Sequence, residues 1–166
     1  PRAPSSSPHP VPIPFAIGGA FLMRRGEFLA DGGFDALFAP FYWEDVDLCL
    51  CAWRTGRRVE EVPSSVVEHH HRGTIGSAVP EDLVLASIEK NRHLLLWKHL
   101  DDRTLARDHL TSLWRDVLDA SMGGRREELI WLALALQELP RATESRAALG
   151  ARPVTLEAAL RLSDPG

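Results

Sequence analysis

Three carboxylates in the run Glu44-Asp45-Val46-Asp47 are the residues best placed for proton chemistry. The amphipathic stretch from about Trp43 to Thr55 predicts a helix that they open. At a helix start the free backbone N–H groups and the helix dipole stabilise carboxylates. Acids are common in any first turn, so on helix physics alone plain capping is the simpler account. A second cluster, His69-His70-His71, ends a valine-rich stretch; in a strand His69 and His71 share one face and His70 takes the other. Histidines at that spacing can ligate a metal or a phosphate-bound metal. With no carboxylate or cysteine at metal-site spacing, a surface histidine cluster fits equally well. Gly18-Gly19 interrupts an apolar run, as happens where a strand bulges or where a ligand or second backbone comes close.

The elements that must position these groups follow from periodicity and from helix breakers. Phe15 to Met23 is short, apolar and bounded by prolines on one side and Arg24-Arg25 on the other, which predicts a buried strand. A short helix is expected from Gly26 to Ala30, stopped by Asp31-Gly32-Gly33, then a loop over 34–40, with Gly56 ending the acidic helix. Arg58 to Val62 and Ser65 to His69 read as two short strands separated by Pro63, and Gly73 and Gly76 make the segment after the histidines a loop. Beyond Pro80 the pattern turns helical: about 80–100, 102–120 and 125–139, with a weaker pair at 141–149 and 155–162. In the second of these, Leu110, Leu113, Trp114, Val117 and Leu118 form a stripe at three- and four-residue spacing, which predicts core. The run LIWLALAL from Leu129 to Leu136 is apolar nearly all round, as expected at the centre of a helical cluster or under a partner or membrane surface.

Bulk properties bound the function. The chain has 166 residues, 45% of them hydrophobic and 25% charged, which is the composition of a globular unit rather than a disordered one. Its net charge of -4 argues against a nucleic-acid partner, which needs a concentrated positive surface. Cys49 and Cys51 would project to different sides of a helix, so a disulfide between them is not expected and reduced, cytoplasmic thiols are. No apolar run reaches the roughly 18 residues that span a bilayer, so any membrane contact is expected to be peripheral; the expected location is the cytoplasm, with the inner face of the cell membrane as a place of contact. The opening PRAPSSSPHPVPIP reads as an extended linker over 1–14, cut from a longer protein.

Taken in order, GGAFLMRR, GGFD, FAPFYWEDVDL with AWRTG, VPSSVVEHHHRGTIG and IEKNRHLLLWKHL resemble the C-terminal, acceptor-side half of bacterial family 2 glycosyltransferases, including rhamnosyltransferases. The resemblance spans residues 15–100 and fades beyond them. It implies an α/β chain: a partial GT-A fold over 15–78, with a short mixed sheet plus helices, and then a helical C-terminal region over 79–166, helix-rich overall.

The nucleotide-binding half of such enzymes is expected to precede this segment, so the fragment alone is expected to be inactive. The resemblance implies that Asp45 is the general base of an inverting transfer from a nucleotide-sugar donor to a saccharide or lipid-linked saccharide acceptor, as in surface polysaccharide assembly. Gly18, Gly19, Trp43 and Glu44 would border the acceptor, and Asp47 would be structural. His71, Arg72 and Thr74 would lie near the diphosphate. His69 would complete the shell of a divalent cation, Mn or Mg, held only together with the donor half. Cys51 stands where relatives usually carry an arginine, and Ala36 where they often carry an acid or proline. The alternative is a noncatalytic acceptor-binding or scaffold module.

Overall fold

Helix stops written into the sequence set the frame. In the computed structural model, which describes residues 9–68 and 79–163, helix α1 (Arg25–Ala30) closes on Gly32, whose φ of 88° lies in the left-handed region. There the Gly33 N–H donates to the Phe28 carbonyl and the Gly32 N–H to Leu29. Helix α2 (Glu44–Arg54) ends the same way. Gly56 has φ 82°, its N–H donates to the Trp53 carbonyl, and the Arg57 N–H reaches the Ala52 carbonyl at 3.0 Å. Both are Schellman closures, which only a residue without Cβ forms without strain.

Between these helices lies a 3-10 turn, Ala36–Phe38. The remaining helices are α3 (Glu81–His99), α4 (Arg103–Gly123), α5 (Arg126–Gln137), α6 (Leu139–Leu149) and α7 (Leu156–Ser163). Asp102 starts α4 by accepting the Thr104 and Leu105 N–H groups, and these bonds hold its carboxyl below the usual range.

Among the described residues the sheet is one antiparallel pair: β1 (Val11–Pro12) against β2 (Glu60–Glu61), with Val11 opposite Glu61. The fold is therefore helix-rich with a small antiparallel sheet, and no mixed sheet forms among these residues. Three strand expectations are corrected. The stretch 15–23 is irregular, with a turn at Gly18-Gly19 closed by the Ala20 N–H on the Ile17 carbonyl at 2.9 Å. Of 58–62 only Glu60–Glu61 pairs, and 65–68 carries no ladder, with Val66 and Val67 exposed. In turn, the extended run expected over 1–14 contributes β1. An apolar or valine-rich run signals burial or β-propensity, but a strand exists only where a partner backbone lies alongside.

The chain forms two compact units. The first gathers the described residues 9–35, 44–68 and 152–163. In it α2 packs against α7, with the Val154 N–H on the Arg54 carbonyl. The Trp53 indole N–H donates to Ile13 at 3.1 Å. Arg57 pairs with the buried Asp31 carboxylate and also bonds the Thr55 hydroxyl, tying the exit of α2 to the end of α1.

The second unit is residues 36–43 and 79–151. Its centre is α3, against which α5, α6 and the 3-10 turn pack. Val84, Ser87, Asn91, Leu94, Leu95 and Lys98 of α3 are buried at the three- and four-residue spacing of one helix face. The stripe expected as core on α4 divides. Leu113 and Val117 are half-buried, whereas Leu110, Trp114 and Leu118 are exposed, and Met122 extends that row. These four recur every fourth residue on one side of the helix, and periodicity reports a common face without reporting what covers it. No helix among the described residues is long and apolar enough to cross a membrane.

Candidate active site at the start of helix α2

Helix α2 opens with Glu44, Asp45 and Asp47 in its first turn. Asp45 is half-buried and each of its oxygens receives one backbone N–H. Oδ1 takes Val46 at 2.8 Å, and Oδ2 takes Gly18 at 2.9 Å from the turn that replaces the expected strand. A carboxylate oxygen accepts more than one hydrogen bond, so both retain capacity for an incoming hydroxyl proton. A Cβ built on Gly18 would sit 3.4 Å from the Asp45 Cβ and 3.6 Å from Oδ2. Glycine thus keeps the turn against the carboxylate with no side chain between them.

Glu44 is the more constrained neighbour. Its Oε2 is buried without a hydrogen-bond partner. Burial pushes its carboxyl above the usual range, its own backbone N–H opposes that, and the adjacent Asp45 charge adds to it. Two adjacent carboxyls therefore differ in environment: Asp45 is served by two N–H donors, and Glu44 has an oxygen waiting for one. Asp47 is buried. One turn on, Cys49 accepts the Ala16 N–H on its Sγ at 3.3 Å. Burial raises its thiol, the Ala16 bond lowers it, and Asp45 and Asp47 raise it, so it stays a protonated packing group. Cys49 and Cys51 are both free and buried.

The residues leading into α2 are held by α3. Tyr42 and Trp43 are consecutive non-glycine residues with φ of 72° and 77°, a conformation costing about 1–3 kcal/mol each. Asn91, fully buried, donates from Nδ2 to the carbonyls of Phe38 at 2.7 Å, Phe41 at 3.0 Å and Tyr42 at 3.0 Å. Lys90 adds a bond to the Ala39 carbonyl, and the Trp43 indole N–H donates to Ile88 at 2.9 Å.

The structure thus brings Gly18, Glu44 and Asp45 together. Gly19 stands in the same turn. Trp43, expected beside an acceptor, has its one polar donor committed to α3. His69, His71, Arg72 and Thr74 lie outside the described residues. Sequence reasoning passed over Ala16, whose contribution is a backbone N–H that no side-chain pattern reveals. It also passed over Asn91, whose signal was legible: a polar residue on the buried face of α3 between Val84 and Leu94. No protein family, curated protein or solved structure matches the chain.

Proposed function

We propose that this chain is the acceptor-side part of an inverting glycosyltransferase with a partial GT-A fold, in which Asp45 is the general base. The observation that carries the reading is the Gly18–Asp45 pair. A glycine turn donates to a half-buried carboxylate at a helix start and leaves its oxygens free to accept a hydroxyl proton. The motif series from GGAFLMRR to IEKNRHLLLWKHL supports the same assignment.

In this reading the acceptor hydroxyl passes its proton to Asp45 as its oxygen bonds to the anomeric carbon of the donor. The bond from that carbon to the nucleotide diphosphate breaks on the opposite face, and the configuration inverts. The acceptor is a saccharide or a lipid-linked saccharide, met at the inner face of the cell membrane. Glu44, next to Asp45 at the helix start, would border the acceptor and help to orient it. A divalent cation would help the diphosphate leave. Its ligands would belong mainly to a donor half, and His69 lies outside the described residues.

The test is sugar transfer by a protein carrying both halves, against nucleotide sugars with Mn or Mg, comparing wild type with Asp45→Asn. The expected outcome is a rate loss of roughly a hundredfold or more with donor binding and folding intact. An unchanged rate would reduce Asp45 to a helix-start cap. Saturable binding of an acceptor saccharide, abolished by Glu44→Ala and unaccompanied by transfer from any donor, would favour a noncatalytic acceptor-binding module.

A further inference from the structure

The second unit holds a cavity of about 300 Å³ between α3, α4 and α5, at the small end of the range for small-molecule sites. Leu113 and Val117 from α4 and Leu129, Trp131 and Leu132 from α5 give it an apolar wall. The polar groups are unbalanced. Glu89, Asp116 and Glu128 contribute three carboxylates against one guanidinium, Arg92, which is already bonded through Nε to Glu89 at 2.9 Å. Glu128 is met from outside the cavity by Arg125 at 2.7 Å. Asp116 makes no hydrogen bond or ion pair among the described residues.

His93 of α3 completes the wall. It is 6% exposed, and its Nδ1 is buried without a hydrogen-bond partner. Its ring stacks on Trp97 at 5.8 Å and lies near His109, whose Nε2 accepts the Trp97 indole N–H at 3.2 Å. Burial first, then the Arg92 charge, holds His93 at a pKa of about 4, so it is neutral at pH 7 and does not repel a cation.

We infer that this cavity binds a small organic cation: a primary ammonium group carried on an apolar, aromatic-sized body. An ammonium has three N–H donors and no acceptor, which answers a lining rich in acceptors whose one guanidinium is already paired. The Asp116 carboxylate provides the counter-charge, and the wall of Trp131, leucines and valine takes the apolar body. An anion would meet a net negative lining, and a neutral alcohol would forgo the charge.

The test uses 2-phenylethylamine as probe on the full chain, with phenylacetate and 2-phenylethanol as anionic and neutral counterparts. NMR follows the Trp131 indole and His93 ring signals. The expected result is saturable shifts with the amine, none with phenylacetate and at least fivefold weaker binding of the alcohol. Asp116→Asn, an exposed position that leaves the fold intact, is expected to weaken the amine at least fivefold, and Trp131→Phe to weaken it by a smaller factor. Absence of a saturable shift, equal binding of phenylacetate, or an Asp116→Asn variant within twofold of wild type would overturn the inference. None of these readouts depends on sugar transfer.

Discussion

Asp45 draws one N–H from its own helix and the other from a turn 27 residues earlier, so its orientation depends on tertiary structure as well as on helix capping. A cap needs only the local donor; the second fixes the carboxylate relative to the backbone of the turn. His93 poses the opposite problem, a titratable group with too few partners. Its surroundings combine burial, the neighbouring Arg92 and His109 side chains that depress its pKa, and the acids Glu89 and Asp116 that raise it, with burial largest. Because the folded pKa of about 4 lies below the unfolded value near 6.5, the unfolded state binds more protons between them. Stability is therefore complete above about pH 6.5 and declines as pH falls towards 4, by roughly 3 kcal/mol over that interval. Urea unfolding at pH 7 and at pH 4.5 should register the decline, and His93→Gln should flatten the difference between the two.

At the scale of elements, the segment 38–43 and helix α3 act on each other through one side chain. Asn91→Ala removes the donor to three carbonyls around a pair of left-handed residues, and a loss of about 1–3 kcal/mol is expected from the acceptors left unpaired. Denaturant midpoints at constant slope would measure it. Helices were the legible part of this sequence. Gly32, Gly56 and the helix start expected at 102 marked ends that the structure reproduces within a few residues, because capping is local chemistry. Strands were less legible, since pairing depends on which backbone arrives alongside: β2 falls inside the expected 58–62, and the other two expected strands do not form among the described residues. Val11–Pro12 paired although its composition is that of a linker, while the more apolar 15–23 did not. The carboxylates of the candidate site were visible as types and spacing. The Gly18 contact and the left-handed Tyr42-Trp43 pair were not, because glycine doublets and aromatic pairs occur in many backbone conformations.

For the whole molecule, apolar periodicity proved an incomplete guide to the core. Leu94 is fully buried, whereas Leu110 and Trp114 are 62% and 65% exposed. Leu94→Ala should cost about 2–5 kcal/mol, while Leu110→Gln and Trp114→Gln should each stay within about 0.5 kcal/mol of wild type; equilibrium unfolding of the three variants separates the two classes. Neither compact unit is contiguous in sequence, for the chain passes from one to the other at 35/36, 43/44, 78/79 and 151/152. This interleaving restricts how such a chain can be recombined. A crossover at 78/79, the apparent seam between strand-like and helical sequence, would draw residues 36–43 from one parent and Asn91, which holds them, from the other. Chimaeras of related chains should keep their folding only when 36–43 and 79–151 are inherited together.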